Sequence, residues 1–158
     1  MIKIGIVGAG GMGTVHHSNY SHMKDCEVAA VVGQTKQDED RAKEWNLPLY
    51  HDVDSMLDRE EINVVDVCTP TFLHKEHVMK ALARGRHTIT EKPIALKASD
   101  AKEMFDLARE KGVQLFVGQV LRFYKESQIL KELVEDRRYG KVLDASFERL
   151  SACPRWAQ

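Results

Sequence analysis

Apolar and polar positions divide this chain into short β-branched runs and longer segments with helical spacing. Ile2–Val7, Glu27–Val32, Asn63–Cys68, His87–Thr90 and Gln114–Val117 read as strands, each bounded by Gly, Pro, Thr or Glu. Between them, Thr14–Met23, Gln37–Trp45, Phe72–Arg84, Asp100–Lys111 and Ser127–Arg138 read as helices. Leu73, Val78, Ala81 and Leu82 give the third its apolar positions; Ile129, Leu130, Leu133 and Val134 give the last its stripe. Ser99 is expected to cap the fourth helix and Gly112 to stop it. Strands alternating with helices predict βαβ units and a parallel sheet covered by helices on both faces. Lys141–Leu150 departs from this pattern. Leu143, Ala145 and Phe147 alternate with Asp144, Ser146 and Glu148, the signature of a half-solvated antiparallel strand, as though a second sheet begins. Such a strand, unpaired, is an association hazard, and the expectation is that the chain is incomplete.

Composition narrows the function classes. The 158 residues suit one ordinary domain with a real core, and 43% hydrophobic with 30% charged residues is normal for a globular protein. A formal charge of −1 gives no electrostatic case for nucleic acid or an anionic membrane as partner. No apolar run approaches the ~20 residues of a membrane helix. Cys26, Cys68 and Cys153 are odd in number and far apart, which argues against disulfides and a zinc site and for a reduced, cytoplasmic setting.

The chemistry begins at the first strand's end. Gly8-Ala9-Gly10-Gly11-Met12-Gly13 carries GxGxxG between a strand and a helix. Gly8 permits the tight turn, Gly10 lets the backbone approach a pyrophosphate, and Gly13 lets the helix pack on the strand. The helix's free N–H groups then face negative charge. The plainer alternative is an ordinary glycine-rich turn, but the context favours a dinucleotide site. A second motif, Glu91-Lys92-Pro93, follows a predicted strand, where ligands bind in open α/β sheets. By itself the tripeptide reads more readily as a solvated lysine before a strand-ending proline. Cys68-Thr69-Pro70-Thr71-x-x-His74, at the end of the preceding strand, adds weight to the site reading.

With these stations, joined by Ala81-Leu82-Ala83-Arg84-Gly85-Arg86-His87 and Gly118-Gln119-Val120-Leu121-Arg122-Phe123, the chain resembles the N-terminal half of the Gfo/Idh/MocA oxidoreductases, the sugar and inositol dehydrogenases. The resemblance implies a doubly wound, Rossmann-type domain over residues 1–140, with 141–158 opening a truncated substrate domain. It implies NAD or NADP as cofactor, a polyol, sugar or cyclitol substrate, and a homo-oligomer for the full-length protein. Lys92 would contact the nicotinamide end and the substrate hydroxyl, assisting proton transfer. Glu91 would hold Lys92, and Lys92–Pro93 is a candidate cis peptide. Thr69, Pro70, Thr71, His74 and Pro93 would line the cofactor path, with Gln119 and Arg122 near the pocket.

Two departures follow. The family's acid–base Asp and His lie in a domain that nothing after Leu150 supplies, so this chain alone is expected to bind cofactor without turnover. The ribose-gripping acid expected about 20 residues beyond the glycines is also missing. Gly33, Gln34, Thr35 and Lys36 stand there, which favours NADP over NAD through Lys36 and Thr35, although Asp38, Glu39 and Asp40 follow closely. Other residues read more plainly. His74 and His77 have metal-pair spacing but no third ligand nearby, so no metal is expected. His16 and His17 read as surface or interface residues, Cys68 as a small core residue, and Trp45 and Trp156 as uninformative. A non-catalytic dinucleotide-binding module is the alternative function.

Overall fold

In the computed structural model, which describes residues 1–150, the β-branched runs form one all-parallel, six-stranded sheet of order β3-β2-β1-β4-β5-β6. The strands are β1 (Ile2–Val7), β2 (Cys26–Val32), β3 (Leu49–Tyr50), β4 (Val64–Val67), β5 (His87–Thr90) and β6 (Leu115–Val117). The helices are α1 (Gly11–Tyr20), α2 (Lys36–Glu44), α3 (Val53–Arg59), α4 (Thr71–Ala83), α5 (Ala98–Lys111) and α6 (Lys125–Glu135). This is the doubly wound Rossmann arrangement. The sheet's order reverses between β1 and β4, the switch point outside whose carboxyl ends ligands bind. Residues Met1–Gln119 are one compact unit, and a second begins at Val120.

Strands buried on both faces are mostly apolar, and β1 is so from Ile4 to Val7 and β4 throughout except at Asp66. Val7, Val65 and Val67 are at most 1% exposed, packed with Val78 and Leu82 of α4 and Met104 of α5, and Ile6 is fully buried. Gly5 sits in β1 because a side chain there would lie 2.5 Å from the Met56 sulfur, so its absence lets α3 close on the sheet. No element is read between Pro48 and Asn63, yet β3 and α3 lie there. Asp52 caps α3 by accepting the Ser55 amide at 2.8 Å, and Val53, Met56 and Leu57 bury its inner face.

Two expectations fail. Ser99 lies inside α5, whose N-cap is Lys97 and carries no side-chain cap, while Gly112 ends the helix at φ +67° as expected. Lys141–Leu150 forms no strand: among the described residues nothing pairs with it, and Leu143 and Phe147 are 91% and 80% exposed. Alternation alone cannot hold a strand without a hydrogen-bonded neighbour. Cys153 and Trp156 lie outside the described residues. Among the described residues no helix is long and apolar enough to cross a membrane.

Candidate functional site

The chain leaves β1 through Gly8 at φ +91°, a conformation other residues resist, and turns directly into α1. A side chain on Gly13 would lie 2.1 Å from the Gly8 carbonyl oxygen, so only glycine allows the helix this close to the turn. Gly10, in contrast, has open space where a side chain would be, and it lines a cleft of about 610 Å³. The N-terminus of α1 has no side-chain cap and no acidic residue in its first turn, which leaves its amides free for an anion. These are the features that a pyrophosphate requires.

Gly8, Gly10, Gln34, Thr35, Thr69 and Pro70 meet around this cleft. Two further polar atoms there are buried and unpartnered, Thr69 Oγ1 and His77 Nδ1. Orphaned buried atoms each cost about 1–3 kcal/mol, so a ligand rich in donors and acceptors fits this lining. Burial holds the His77 ring below its ordinary pKa. Other expected residues lie elsewhere. Ala9 is buried, and its amide is used internally. Met12 is exposed, and Thr71 and Gly11 begin their helices. Lys36 pairs with Asp40 on the exposed side of α2.

The acid that sequence spacing misses is Asp38. Thr35 and Asp38 form a capping box at the start of α2, and the Asp38 carboxylate turns back beside Gly33, where it reaches the glycine turn. Its Oδ1 accepts the Ala9 amide at 2.7 Å. Its Oδ2 accepts the Gln34 and Thr35 amides at 3.1 and 2.9 Å and the Thr35 hydroxyl at 2.6 Å. Burial alone would push this carboxyl's pKa up, but these donors outweigh it and hold it below the ordinary range. The signal in the sequence was the T-x-x-D spacing before a polar helix.

His74 does not face the cleft. Its buried ring bridges the Thr69 carbonyl at 2.7 Å and the Pro93 carbonyl at 2.9 Å. Gly8 packs against Thr69, so one line of contacts runs from the glycine turn through His74 to the Lys92–Pro93 corner. That peptide is cis. Lys92 is exposed, its amide donates to Glu91 Oε2 at 2.9 Å, and Gln119 is exposed beyond β6. His16, expected on the surface, instead reaches inward: its Nδ1 lies 2.7 Å from Asp66 Oδ2 and its Nε2 lies 3.3 Å from Glu91 Oε1. His17 stacks on Trp45 at 3.9 Å, which ties α1 to the end of α2. Cys68 lies 3.4 Å from His16 Nδ1, but burial first, then Asp66 and Glu91, push its thiol pKa far up, so it is no nucleophile.

Residues 2–119 match a family described as an oxidoreductase family with an NAD-binding Rossmann fold. Glucose-6-phosphate 3-dehydrogenase of Bacillus subtilis is 33% identical over 158 residues, 98% of this chain and 45% of its own length. The 2,7-anhydro-N-acetylneuraminate hydratase of Mediterraneibacter gnavus is 37% identical over 123 residues, 77% of this chain and 33% of its own. The crystal structure of the WlbA dehydrogenase of Bordetella pertussis with NADH and UDP-GlcNAcA superposes with a TM-score of 0.83 at 26% identity. It is covered over 88% of this chain and 41% of its own. The chain thus spans less than half the length of these relatives. By its sequence and its fold alike, the chain belongs to the Gfo/Idh/MocA oxidoreductases, and residues 2–119 are their NAD-binding Rossmann domain.

Proposed function

We propose that the chain supplies the cofactor site and the lysine of a dehydrogenase that oxidises a CH–OH carbon of a sugar or cyclitol. The observation that carries this reading is the unbroken line of contacts from Gly8 through Thr69 and His74 to the Lys92–Pro93 corner. It fixes a pyrophosphate-binding turn and a lysine relative to one another. Bound NAD⁺ supplies the hydride acceptor. The α1 amides hold its phosphates, while Thr69 Oγ1 and His77 Nδ1 offer partners to polar groups in the cleft. Lys92 would donate to the substrate hydroxyl oxygen and stabilise the negative charge that grows there as its proton is removed and before the hydride leaves carbon. The departing proton goes to an acid–base group of a second domain, which residues from 141 onward begin.

Asp38 supports the opposite cofactor preference to the one expected from Gly33 to Lys36. Its Oδ1 accepts one amide and keeps a lone pair for a ribose hydroxyl, while its charge opposes a 2′-phosphate. NAD is therefore the proposed cofactor. The test is to incubate the chain with NAD⁺ and a panel of sugars and cyclitols, alongside a direct NADH titration. Saturable NADH binding without NADH formation is expected. A folded chain that binds neither NADH nor NADPH would overturn the proposal, and NADH formation would remove the second domain's acid–base assignment.

A further inference from the structure

Next to the cleft, α1, β4 and the end of β5 bring together a buried polar chain that hydride transfer does not use. Tyr20 donates its hydroxyl to Asp66 Oδ2 at 2.8 Å, and His16 Nδ1 reaches the same oxygen at 2.7 Å. Asp66 is fully buried in a strand that is otherwise apolar, where an unpaired carboxylate would be very costly. The opposite side of the same imidazole, Nε2, faces Glu91 Oε1 at 3.3 Å. Glu91 is itself 6% exposed and spends its other oxygen on the Lys92 amide. Gly118 closes the remaining side, since a side chain there would lie 2.9 Å from Glu91 Oε1. The Glu91 carboxylate is thus held among three fixed neighbours: the β6 end, the Lys92 amide and the His16 ring.

We propose that His16 is a positioning residue that, clamped between Asp66 and Glu91 with a proton on each ring nitrogen, fixes Glu91 and through it the Lys92 main chain relative to α1. The link matters because α1 presents its N-terminus to the cofactor phosphates while Lys92 acts at the other end of the cofactor, so the inference rests on the reading of Lys92 given above. A neutral imidazole donates from one nitrogen only and would drop one carboxylate. The groups facing the ring are Asp66 and Cys68 from β4 and its end, Tyr20 from α1, and Glu91 after β5. The Asp66 hydrogen bond raises the ring's pKa above the ordinary 6.5 against the opposing effect of burial, and the Asp66 and Glu91 charges add to the rise. The three candidate donors His16, Asp66 and Cys68 lie within 4.8 Å of one another, but they already bond to each other, which leaves a metal no advantage.

Glu91→Gln separates this role from a merely structural one. The carboxamide can donate to a bare Nε2 while its oxygen still accepts the Lys92 amide, so the clamp no longer needs a charged ring. Nitrogen NMR of the histidine rings in the full chain should show His16 protonated on both nitrogens at neutral pH, titrating above 6.5. In Glu91→Gln that midpoint should fall, with Nε2 bare. In His16→Gln, exchange of the Lys92 amide should accelerate about tenfold as its carboxylate acceptor loosens. NADH affinity of the wild type should weaken by about threefold or more as pH passes the ring's midpoint, and Glu91→Gln should stay flat. A His16 midpoint that ignores Glu91→Gln, or a Lys92 amide indifferent to His16→Gln, would overturn the assignment. So would an equal pH dependence of NADH affinity in Glu91→Gln. If no cofactor binds while ring and amide behave as stated, the positioning role holds and the cofactor reading of Lys92 falls.

Discussion

Asp38 enters the cleft from the third position of α2, where its carboxylate takes three main-chain amides and one hydroxyl. Asp38→Asn keeps the shape but loses the charge. NADPH should then gain on NADH by about tenfold, measured by parallel fluorescence titrations. The same substitution should cost about 1–2 kcal/mol through the weakened cap and turn. The sign of the pH effect is fixed. A carboxyl held below its ordinary 3.8 stabilises the fold above that value, and the contribution is lost as pH falls through the lower, folded value. Melting temperature should therefore drop more steeply below about pH 4 in the wild type than in Asp38→Asn. His16 has the opposite sign: its contribution is complete below 6.5 and fades as pH rises through the raised folded value. The geometry of the glycine turn and the cis Lys92–Pro93 peptide were legible in the sequence because they depend on neighbours in the chain. His16 and Asp66 were not, since they are 50 residues apart and only the β1–β4 pairing brings them together.

The glycine turn divides into positions of different kinds once its geometry is known. Gly13→Ala forces a carbon against the Gly8 carbonyl, a backbone atom that cannot yield, and should cost roughly 3 kcal/mol in a denaturant melt. Gly10 has no such neighbour, so a side chain there should burden the ligand more than the fold. Sequence spacing reads both as parts of one motif and cannot rank them. Elements with long periodic faces, such as α4 and α5, were legible to within a few residues. The seven-residue α3 was not, although Asp52, Val53, Met56 and Leu57 carry both its cap and its face. Too few turns are present for a period to stand out.

Among the described residues, burial is concentrated in residues 1–119 and is absent from α6. That helix buries none of its residues and leaves Ile129, Leu130 and Val134 nearly half exposed. An isolated helix of this length is marginal in water. Its amides should exchange with solvent at least about a hundredfold faster than those of β1 and β4, as hydrogen-exchange mass spectrometry can measure. The alternation over 141–150 was legible as a pattern but not as a strand, because a strand is a property of two segments and the described residues contain one. Relatives are more than twice as long as this chain, and Leu143 and Phe147 are exposed.

The central claim is that the turn from Gly8 to Gly13 binds a dinucleotide through an open Gly10. It is tested most directly by titrating NADH into the folded chain and into Gly10→Val while following nucleotide fluorescence. Saturable binding by the wild type, weakened at least about tenfold in a variant that still melts cooperatively, is the expected result. Equal affinity in both would contradict the claim, as would a folded wild-type chain that does not bind NADH at all.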